Sequence, residues 1–309
     1  MEELIAAAQA EGELTVYGSP PEPALLAATE AFSEKYGITV NTIRIVGGEI
    51  AARYPAEKSA GAPTADAIIL NLASFVPQAL EEGLVTALED LDIPGYPWDF
   101  PEEFLRPEYG TAVVGLQPRG ITYNTEFVSE GEITDWDDIL DPRYAGHIGV
   151  PDPGSAPVYI GHWYTVGEQF GGAQQFLTSV GGQLAPNAVY ASGAPATAAA
   201  GAGEVWMIPM NIGGLTKQAV DQGAPLEFVI PPRTTADEQT ILVNSDPAHP
   251  NAAKLFAAFM MSEEGSLVMA EVGGEMSPFD TANLPELWTW PLELADEQKD
   301  NVVNWLTGG

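Results

Sequence analysis

Residues 120–156 read GITYNTEFVSEGEITDWDDILDPRYAGHIGVPDPGSA, and this stretch decides the organisation that we predict for the chain. It begins with a predicted strand at residues 120–123 and continues through a long acidic connection. A second predicted strand then leads into Asp152-Pro153-Gly154-Ser155. This order of parts is typical of a crossover between domains. We therefore predict that the chain passes from one lobe into another near Arg119.

The composition limits the class of protein. A length of 309 residues with 45% apolar content fits two globular lobes. The absence of cysteine excludes disulfides and thiolate metal sites. The formal net charge of −33 argues against nucleic acid or anionic lipid as a partner, because phosphate binding needs a basic surface. No apolar run reaches the length of roughly 18 residues that a membrane span requires.

The N-terminal sequence MEELIAAAQAEGELTVYG lacks the basic, apolar and small-residue segments of a signal peptide. Two interpretations stay open. Met1 is either a cytoplasmic start or a start placed after a removed signal.

A strand, loop and helix rhythm occurs three times in the first part of the chain. Short apolar runs end at glycine or polar residues, and helical apolar spacing follows each of them. The second helix in this order, near residues 49–60, is expected to be interrupted or restarted at Pro55. The rhythm predicts an α/β fold with a mostly parallel, doubly wound sheet and with ligand groups in the loops after its strands. The predicted strands are residues 14–17, 38–43, 66–70, 111–116, 120–123, 204–209, 226–230 and 240–243.

Two crossings divide the predicted lobes. The first crossing lies between strands 111–116 and 120–123, and the second lies at strand 240–243, which we expect to pair with strand 226–230. The C-terminal helices are expected to pack on the first lobe. Lobe 1 is then formed by residues 1–118 and 242–309, and lobe 2 by residues 119–241.

Six phrases in the same order resemble the solute-binding proteins of ABC importers. The resemblance is to the ferric, phosphonate, polyamine and thiamine branch of the type II periplasmic binding fold. In this sequence the phrases are EGELTVY at 11–17, DA at 66–67 with EGL at 82–84, YNT at 123–125 with DWDD at 135–138, PDP at 151–153, AGAGEV at 200–205 and AHPNAAKLF at 248–256.

The resemblance implies two α/β lobes joined by two hinge strands that close on a ligand in the interlobe cleft. It implies transfer of the ligand to a membrane permease and no chemistry on the ligand, so we expect neither an enzyme nor a cofactor. The implied location is periplasmic or extracellular, with lipoprotein anchoring as one possibility, and the implied state is a monomer.

Loops that follow strands carry helix N-termini, whose partial positive charge attracts anions. Arg119 and Arg233 lie near the predicted hinge strands, where a guanidinium can bind a carboxylate or phosphonate in bidentate fashion. Ion pairing with one of the many carboxylates is the alternative for both arginines. His162 follows the loop at 154–155. The other candidate ligand-binding residues are Tyr17, Ser19, Gly48, Glu49, Asn71, Ser74, Gly154, Ser155, Ser192, Gly193 and Asn211.

The ferric members of the family carry two adjacent tyrosines after the strand that here ends at Pro209, where this chain instead has Met210-Asn211-Ile212-Gly213. Without these phenolates a ferric ion loses its main oxygen ligands, and we expect no metal. Our hypothesis is therefore the capture of a small polar solute, an organic anion such as a carboxylate or phosphonate. Ferric or cationic solutes are the first alternative. The second is a secreted acidic glycoside hydrolase, although the common catalytic motifs are absent.

Overall fold

The computed structural model describes residues 1–62, 64–71, 75–154, 157–280, 282, 284–289, 291–292 and 294–308. The strands are β1 (Glu13–Gly18), β2 (Thr39–Arg44), β3 (Ala67–Asn71), β4 (Val85–Thr86), β5 (Leu105–Arg106), β6 (Thr111–Asn124), β7 (Ile148–Pro151), β8 (Leu184–Tyr190), β9 (Met207–Ile212), β10 (Leu226–Val229), β11 (Arg233–Asn244) and β12 (Leu287–Thr289). The helices are α1 (Glu2–Glu11), α2 (Glu22–Tyr36), α3 (Gly47–Ala60), α4 (Phe75–Glu81), α5 (Pro157–Gln169), α6 (Ala173–Gly181), α7 (Gly193–Gly201), α8 (Gly213–Asp221), α9 (Pro250–Met260), α10 (Glu263–Gly273) and α11 (Asp296–Thr307). Within these ranges, no helix combines the length and the apolar character that crossing a bilayer requires.

The chain forms two compact units. Unit 1 comprises Met1–Leu116 and Glu238–Asn283, and unit 2 comprises Gln117–Asp237 and Leu284–Gly309. Strands β6 and β11 each have residues in both units, so the chain leaves unit 1 in β6 and returns to it in β11.

Unit 1 is built on a sheet with the strand order β2-β1-β3-β11-β6. As predicted, β1 is parallel to both β2 and β3, and β11 joins β3 in antiparallel orientation. Helix α9 packs against α1, and α10 packs against α2. The ring of Phe32 on α2 meets Phe256 and Phe259 on α9 at centroid distances of 5.2 and 5.7 Å. The helical apolar spacing in the sequence is thus explained by burial on one side of the sheet.

Unit 2 contains β6, β7, β8, β9 and β10. Strand β7 is parallel to β8 and β9, and β6 is antiparallel to β9 and β10. Trp136, Trp163 and Phe176 are fully or almost fully buried in its main hydrophobic cluster. The indole N–H of Trp136 donates to the carbonyl oxygen of Arg233 at 3.0 Å.

Two strand predictions were wrong. Residues 111–124 form one continuous strand, β6, because Pro118 is compatible with extended backbone and the ladder shifts its register only at Gly120/Ile121. Strand β10 pairs with β6 and not with residues 240–243. Those residues of β11 pair with β3 in unit 1 instead, with Ile241 opposite Ile69.

Helix α3 also differs from its prediction. It begins at Gly47 and continues without a break to Ala60, with Pro55 inside it. Its buried side chains, Ile50 and Tyr54, lie one turn apart. The Tyr54 hydroxyl donates to the carbonyl oxygen of Leu84 at 3.0 Å, so tertiary packing outweighs the local cost of the proline.

The two units differ from the predicted lobes at the C-terminus. The sequence placed all of residues 242–309 in the first lobe, whereas residues 284–309 belong to unit 2. Helix α11 packs against α5 and α6, and its Val302 and Leu306 are buried in the main cluster of unit 2. The approach is close at Gly181, where an added Cβ would lie 2.6 Å from the carbonyl oxygen of Leu306.

Candidate functional site

The C-terminal ends of β7, β8 and β9 lie at one edge of the sheet in unit 2. The parallel register places Val150 of β7 opposite Val189 of β8, and Ile148 of β7 opposite Met207 of β9. Helices α5, α7 and α8 follow these three strands, so their N-termini begin at the same edge. This is the edge at which open α/β sheets bind their ligands.

Gly193, the first residue of α7, shows how closely these elements approach. A Cβ added at this glycine would lie 2.7 Å from Leu215 Cδ1 on α8, 3.2 Å from Asn211 Oδ1 at the end of β9 and 3.3 Å from the Tyr159 hydroxyl on α5. This close approach favours glycine, because a Cβ here would push the end of the Leu215 side chain aside. It brings together two residues that the sequence predicted, Gly193 and Asn211, with Ser192 next to them in the chain.

The helix N-termini at this edge carry no negative side chains. Ser192 and Ile212 precede α7 and α8, and neither makes a side-chain cap. The first turns of α5, α7 and α8 contain no acidic residue, which is also true of α4, α6 and α9, whereas α1, α2, α3, α10 and α11 each begin with at least one. Residues 191–203 and 205–220 contain none of the 44 acidic residues of the chain. The partial positive charge of these helix ends is not compensated by side chains.

Arg119 is buried in β6, with 5% of its surface exposed. Its Nη2 donates to Asp237 Oδ2 on β11, and the guanidinium carbon lies 5.4 Å from the centre of the Tyr159 ring. The buried Nε–H of Arg119 has no acceptor among the described residues. An unsatisfied buried donor is costly, so a ligand that accepts from it would gain a strong hydrogen bond. The ion-pair alternative for Arg119 is thus observed, but in a buried setting.

His162 lies fully buried on α5, one turn beyond Tyr159. Its Nδ1 lies 2.7 Å from Thr235 Oγ1 and its Nε2 lies 3.3 Å from Asp237 Oδ1. Burial, followed by the charge of Arg119, lowers the pKa of His162. Burial opposes ionisation of Asp237, but Arg119 and His162 outweigh it and lower the pKa of Asp237. A neutral imidazole that donates from Nε2 and accepts from Thr235 at Nδ1 fits these contacts.

Asn211 is buried at the end of β9, with 1% of its surface exposed. Its Nδ2 donates to Thr122 Oγ1 at 2.7 Å and to Thr197 Oγ1 at 2.8 Å. The Thr122 hydroxyl also contacts the Thr216 hydroxyl on α8 at 2.6 Å. This network joins β6, β9, α7 and α8 behind the helix N-termini.

The predicted residues of unit 1 form a separate group. Ser19 Oγ donates to Asn71 Oδ1 at 3.3 Å, so these two loop residues meet as expected. The Tyr17 hydroxyl donates to Glu57 Oε2 at 3.0 Å, and burial and this carboxylate raise the pKa of Tyr17. Gly48 and Glu49 lie in the first turn of α3, whose N-terminus is thus already compensated by an acidic residue. Ser74 lies outside the described residues.

The remaining predicted residues are not joined to Gly193 by any contact between described residues. Arg233, at the start of β11, is exposed, and its guanidinium lies 5.3 Å from the centre of the Phe170 ring. The Gly154 N–H donates to Asp152 Oδ1 at 2.8 Å in a local turn. Ser155 lies outside the described residues. In the described part of the chain, no three His, Asp or Glu side chains come together as a metal site.

Comparison with known proteins places this arrangement in a family. The family profile described as bacterial extracellular solute-binding protein matches residues 27–295. The chain belongs to this family. An uncharacterized protein of Haemophilus influenzae is similar to this solute-binding protein, with 28% identity over 267 residues, which cover 84% of this chain and 75% of the relative.

Solved structures show the same fold. The spermidine/putrescine ABC transporter substrate-binding protein PotD from Streptococcus pneumoniae is similar with a TM-score of 0.73 and 19% identity, over 96% of this chain and 98% of that one. The periplasmic binding protein AfuA from Actinobacillus pleuropneumoniae, with fructose-6-phosphate bound, has a TM-score of 0.59 and 23% identity, over 96% of this chain and 97% of that one. The predicted type II periplasmic binding fold is confirmed.

Family membership confirms the resemblance seen in the sequence and the prediction of a transport protein instead of an enzyme. The solute-binding protein binds a small solute outside the cytoplasm and works with an ABC transporter permease. The two structural relatives are named for a polyamine and a sugar phosphate, which differ in charge. The fold therefore leaves the solute undetermined.

Sequence reasoning named His162 but missed three other residues of the cluster around Arg119, which are Tyr159, Thr235 and Asp237. Tyr159 and His162 are three residues apart on α5, and this spacing was a readable sign that both face the same neighbour. In many strands, buried and exposed residues alternate, and this alternation marks the residues that face inward. Strand β11 is buried along nearly its whole length, so no alternation marked Thr235 and Asp237. Asp237 meets Arg119 and Thr235 meets His162 through tertiary contacts among β6, β11 and α5, which the local sequence does not encode.

Proposed function

We propose that this solute-binding protein captures a small organic anion, a carboxylate or a phosphorus oxyanion, at the edge of unit 2 where α7 and α8 begin, and delivers it to a membrane permease. The amides of the first turns of α7 and α8 bind the anionic group, and Arg119 donates to it from Nε. Tyr159, Ser192, Gly193 and Asn211 surround it.

One observation carries the proposal. Two helix N-termini meet at Gly193 without any acidic side chain, in a chain with 44 acidic residues. Each such end favours a negative charge by roughly 0.3–1 kcal/mol when exposed and up to about 2 kcal/mol when partly buried. The unpartnered Nε–H of Arg119 is an independent sign of a missing acceptor. Asp237 balances the charge of Arg119. Arg119 therefore contributes a directed hydrogen bond to the anion more than it contributes net positive charge.

Several expectations from the sequence remain predictions. Closure of the lobes on the solute, a monomeric state and a lipid anchor stay predictions, and so do the roles of Tyr17, Ser19, Gly48, Glu49 and Asn71. His162 is proposed to position Arg119 through Asp237 without touching the solute. Ser74, Gly154, Ser155 and Arg233 also stay predicted ligand contacts. Fructose-6-phosphate on AfuA is an example of an organic anion on the same fold.

Calorimetric titration of ligand-stripped protein tests the proposal. The panel contains succinate, malate, phosphonoacetate, glycerol 3-phosphate, maltose, spermidine and ferric citrate. We expect binding of at least one organic anion and weaker binding as salt is raised. Binding of spermidine or ferric ion alone would contradict the proposal, and turnover of a glycoside would contradict the assignment to transport.

Two matched substitutions locate the binding. Arg119→Lys keeps a positive charge for Asp237 but removes the Nε–H, and we expect anion affinity to fall by about tenfold or more. Arg143→Lys is the control, because Arg143 is exposed and pairs with Asp141 on the surface of unit 2. Equal effects of the two substitutions would count against a role of Arg119 in binding.

A further inference from the structure

The side-chain amide of Asn211 is held in one orientation. Thr197 Oγ1 donates its single hydrogen to the carbonyl oxygen of Gly193 at 2.8 Å. The same oxygen lies 2.8 Å from the Asn211 amide, so it can only accept there, and the amide atom facing it is Nδ2. The second hydrogen of Nδ2 goes to Thr122 Oγ1 at 2.7 Å. Both donors of the amide are therefore used inside unit 2.

The carbonyl oxygen Oδ1 of Asn211 consequently points the other way. It lies 3.2 Å from the position that a Cβ on Gly193 would occupy, beside the N-terminus of α7, and the Tyr159 hydroxyl lies 3.3 Å from that same position. No hydrogen bond from the described residues reaches Oδ1. A tyrosine hydroxyl can either donate or accept, but a locked amide oxygen can only accept.

We infer that Asn211 determines specificity by accepting a hydrogen bond from the solute, which must carry an O–H or N–H group next to its anionic group. The inference rests on the proposed function, because it concerns the same site. An anion without such a donor would cover Oδ1 and leave it unsatisfied, and buried acceptors left in this way discriminate strongly between otherwise similar solutes. The site thus selects hydroxylated or aminated anions over plain ones.

Calorimetric titration with solutes of matched skeleton tests this inference. Succinate, malate and aspartate differ by hydrogen, hydroxyl and ammonium at one carbon, and propyl phosphate and glycerol 3-phosphate differ in their hydroxyls. We expect the donor-bearing member of at least one set to bind about tenfold or more tightly than the plain member. Preference for malate identifies a hydroxyl as the donor, and preference for aspartate identifies an ammonium. Equal affinities, within about twofold, in every set that binds would overturn the inference.

Asn211→Leu separates recognition from a structural effect. We expect this substitution to abolish the preference, so that the donor-bearing and the plain solute bind with affinities within about twofold of each other. An equal loss for both solutes would show a structural role only and would overturn the inference. If the variant does not fold, as judged by circular dichroism, the ratio measured with the natural sequence decides alone.

Asn124→Leu is the matched control. Asn124 is also a buried amide of unit 2, but its Oδ1 already accepts from the Glu126 N–H at 2.8 Å and its Nδ2 donates to the Ala200 carbonyl oxygen at 2.8 Å. We expect this control to keep the solute preference. The two proposals fail in different ways. Binding of no anion counts against the proposed function, whereas binding of anions without preference counts against the role of Asn211 alone.

Discussion

At the scale of single residues, Arg119 and Asp237 explain how an acidic protein can present a binding group to an anion. Both side chains are buried, and their charges balance. His162 contacts the other carboxylate oxygen, Asp237 Oδ1, and is itself hydrogen-bonded to Thr235. The guanidinium is thus oriented by Asp237 and by the Tyr159 ring, and its Nε–H is the donor that we propose for the solute.

We predict that Asp237→Asn destabilises unit 2 by about 3–5 kcal/mol, because it leaves the Arg119 guanidinium buried without a counter-charge. Urea unfolding followed by tryptophan fluorescence measures the loss. Asp141→Asn is the control, since Asp141 pairs with Arg143 in an exposed position, and we expect little change. A similar small effect of both substitutions would show that the buried pair does not stabilise the fold.

The stability of the protein should depend on pH through His162. Burial lowers its pKa in the folded state, so below the ordinary value of about 6.5 the unfolded chain binds a proton that the folded protein does not. The free energy of unfolding therefore falls as the pH decreases from about 7 to about 5. Asp237, whose pKa is also lowered, acts in the same direction at more acidic pH, below about 3.8.

The midpoints of urea unfolding, measured at three pH values between about 5 and about 7, test the contribution of His162. We expect His162→Gln to flatten the dependence on pH, because glutamine can still donate to Asp237 but does not titrate. His147→Gln is the control, since His147 stacks on Trp206 at 3.6 Å between ring centres, away from this cluster. An unchanged slope in His162→Gln would contradict the assignment.

At the scale of elements, the N-termini of α7 and α8 lie at one edge, the proposed binding edge, because the parallel strands before them end together. Gly193 allows the two helices to approach each other without a side chain between them. The sequence named Ser192 and Gly193 as a loop after a strand and Asn211 through the family resemblance, and the structure has Gly193 and Asn211 close together at this edge. Their neighbours Tyr159 and Asp237 needed the tertiary structure, because they belong to a helix and a strand that follow other connections.

We predict that Gly193→Ala lowers anion affinity by about tenfold or more, because its methyl group enters the space bordered by Leu215, Asn211 and Tyr159. Calorimetric titration with the anion that binds the natural sequence measures the effect. Gly182→Ala is the control in the same unit, since a Cβ there lies 3.4 Å from the nearest atom, an ordinary contact. Equal affinities of the two variants would place the anion elsewhere.

At the scale of the whole molecule, helix α11 belongs to unit 2, although it ends a segment whose earlier helices belong to unit 1. The sequence predicted C-terminal helices but packed all of them on the first lobe, because many apolar surfaces can accept an amphipathic helix. For the same reason the sequence predicted strand β10 but paired it with the wrong neighbour. Order and type of elements were largely readable, and long-range partners were not.

Leu306→Ala tests the position of α11. Leu306 is fully buried in the main cluster of unit 2, and we expect a loss of about 2–5 kcal/mol. Amide hydrogen exchange should show reduced protection in α5 and α6, which contact α11, and unchanged protection in α1 and α9. Leu292→Ala is the control at an exposed position. Reduced protection in unit 1 in place of unit 2 would contradict the assignment.

The most direct test of the anion site is a nuclear magnetic resonance titration that follows the backbone amides and the arginine Nε–H signals. Malate or glycerol 3-phosphate, whichever binds in calorimetry, is the probe. We predict that the largest saturable shifts occur at the amides of Gly193, Ala194, Gly213 and Gly214 and at Arg119 Nε–H. Saturable shifts confined to the loops of unit 1 around Gly48 and Asn71, with Arg119 Nε–H unchanged, would contradict the account.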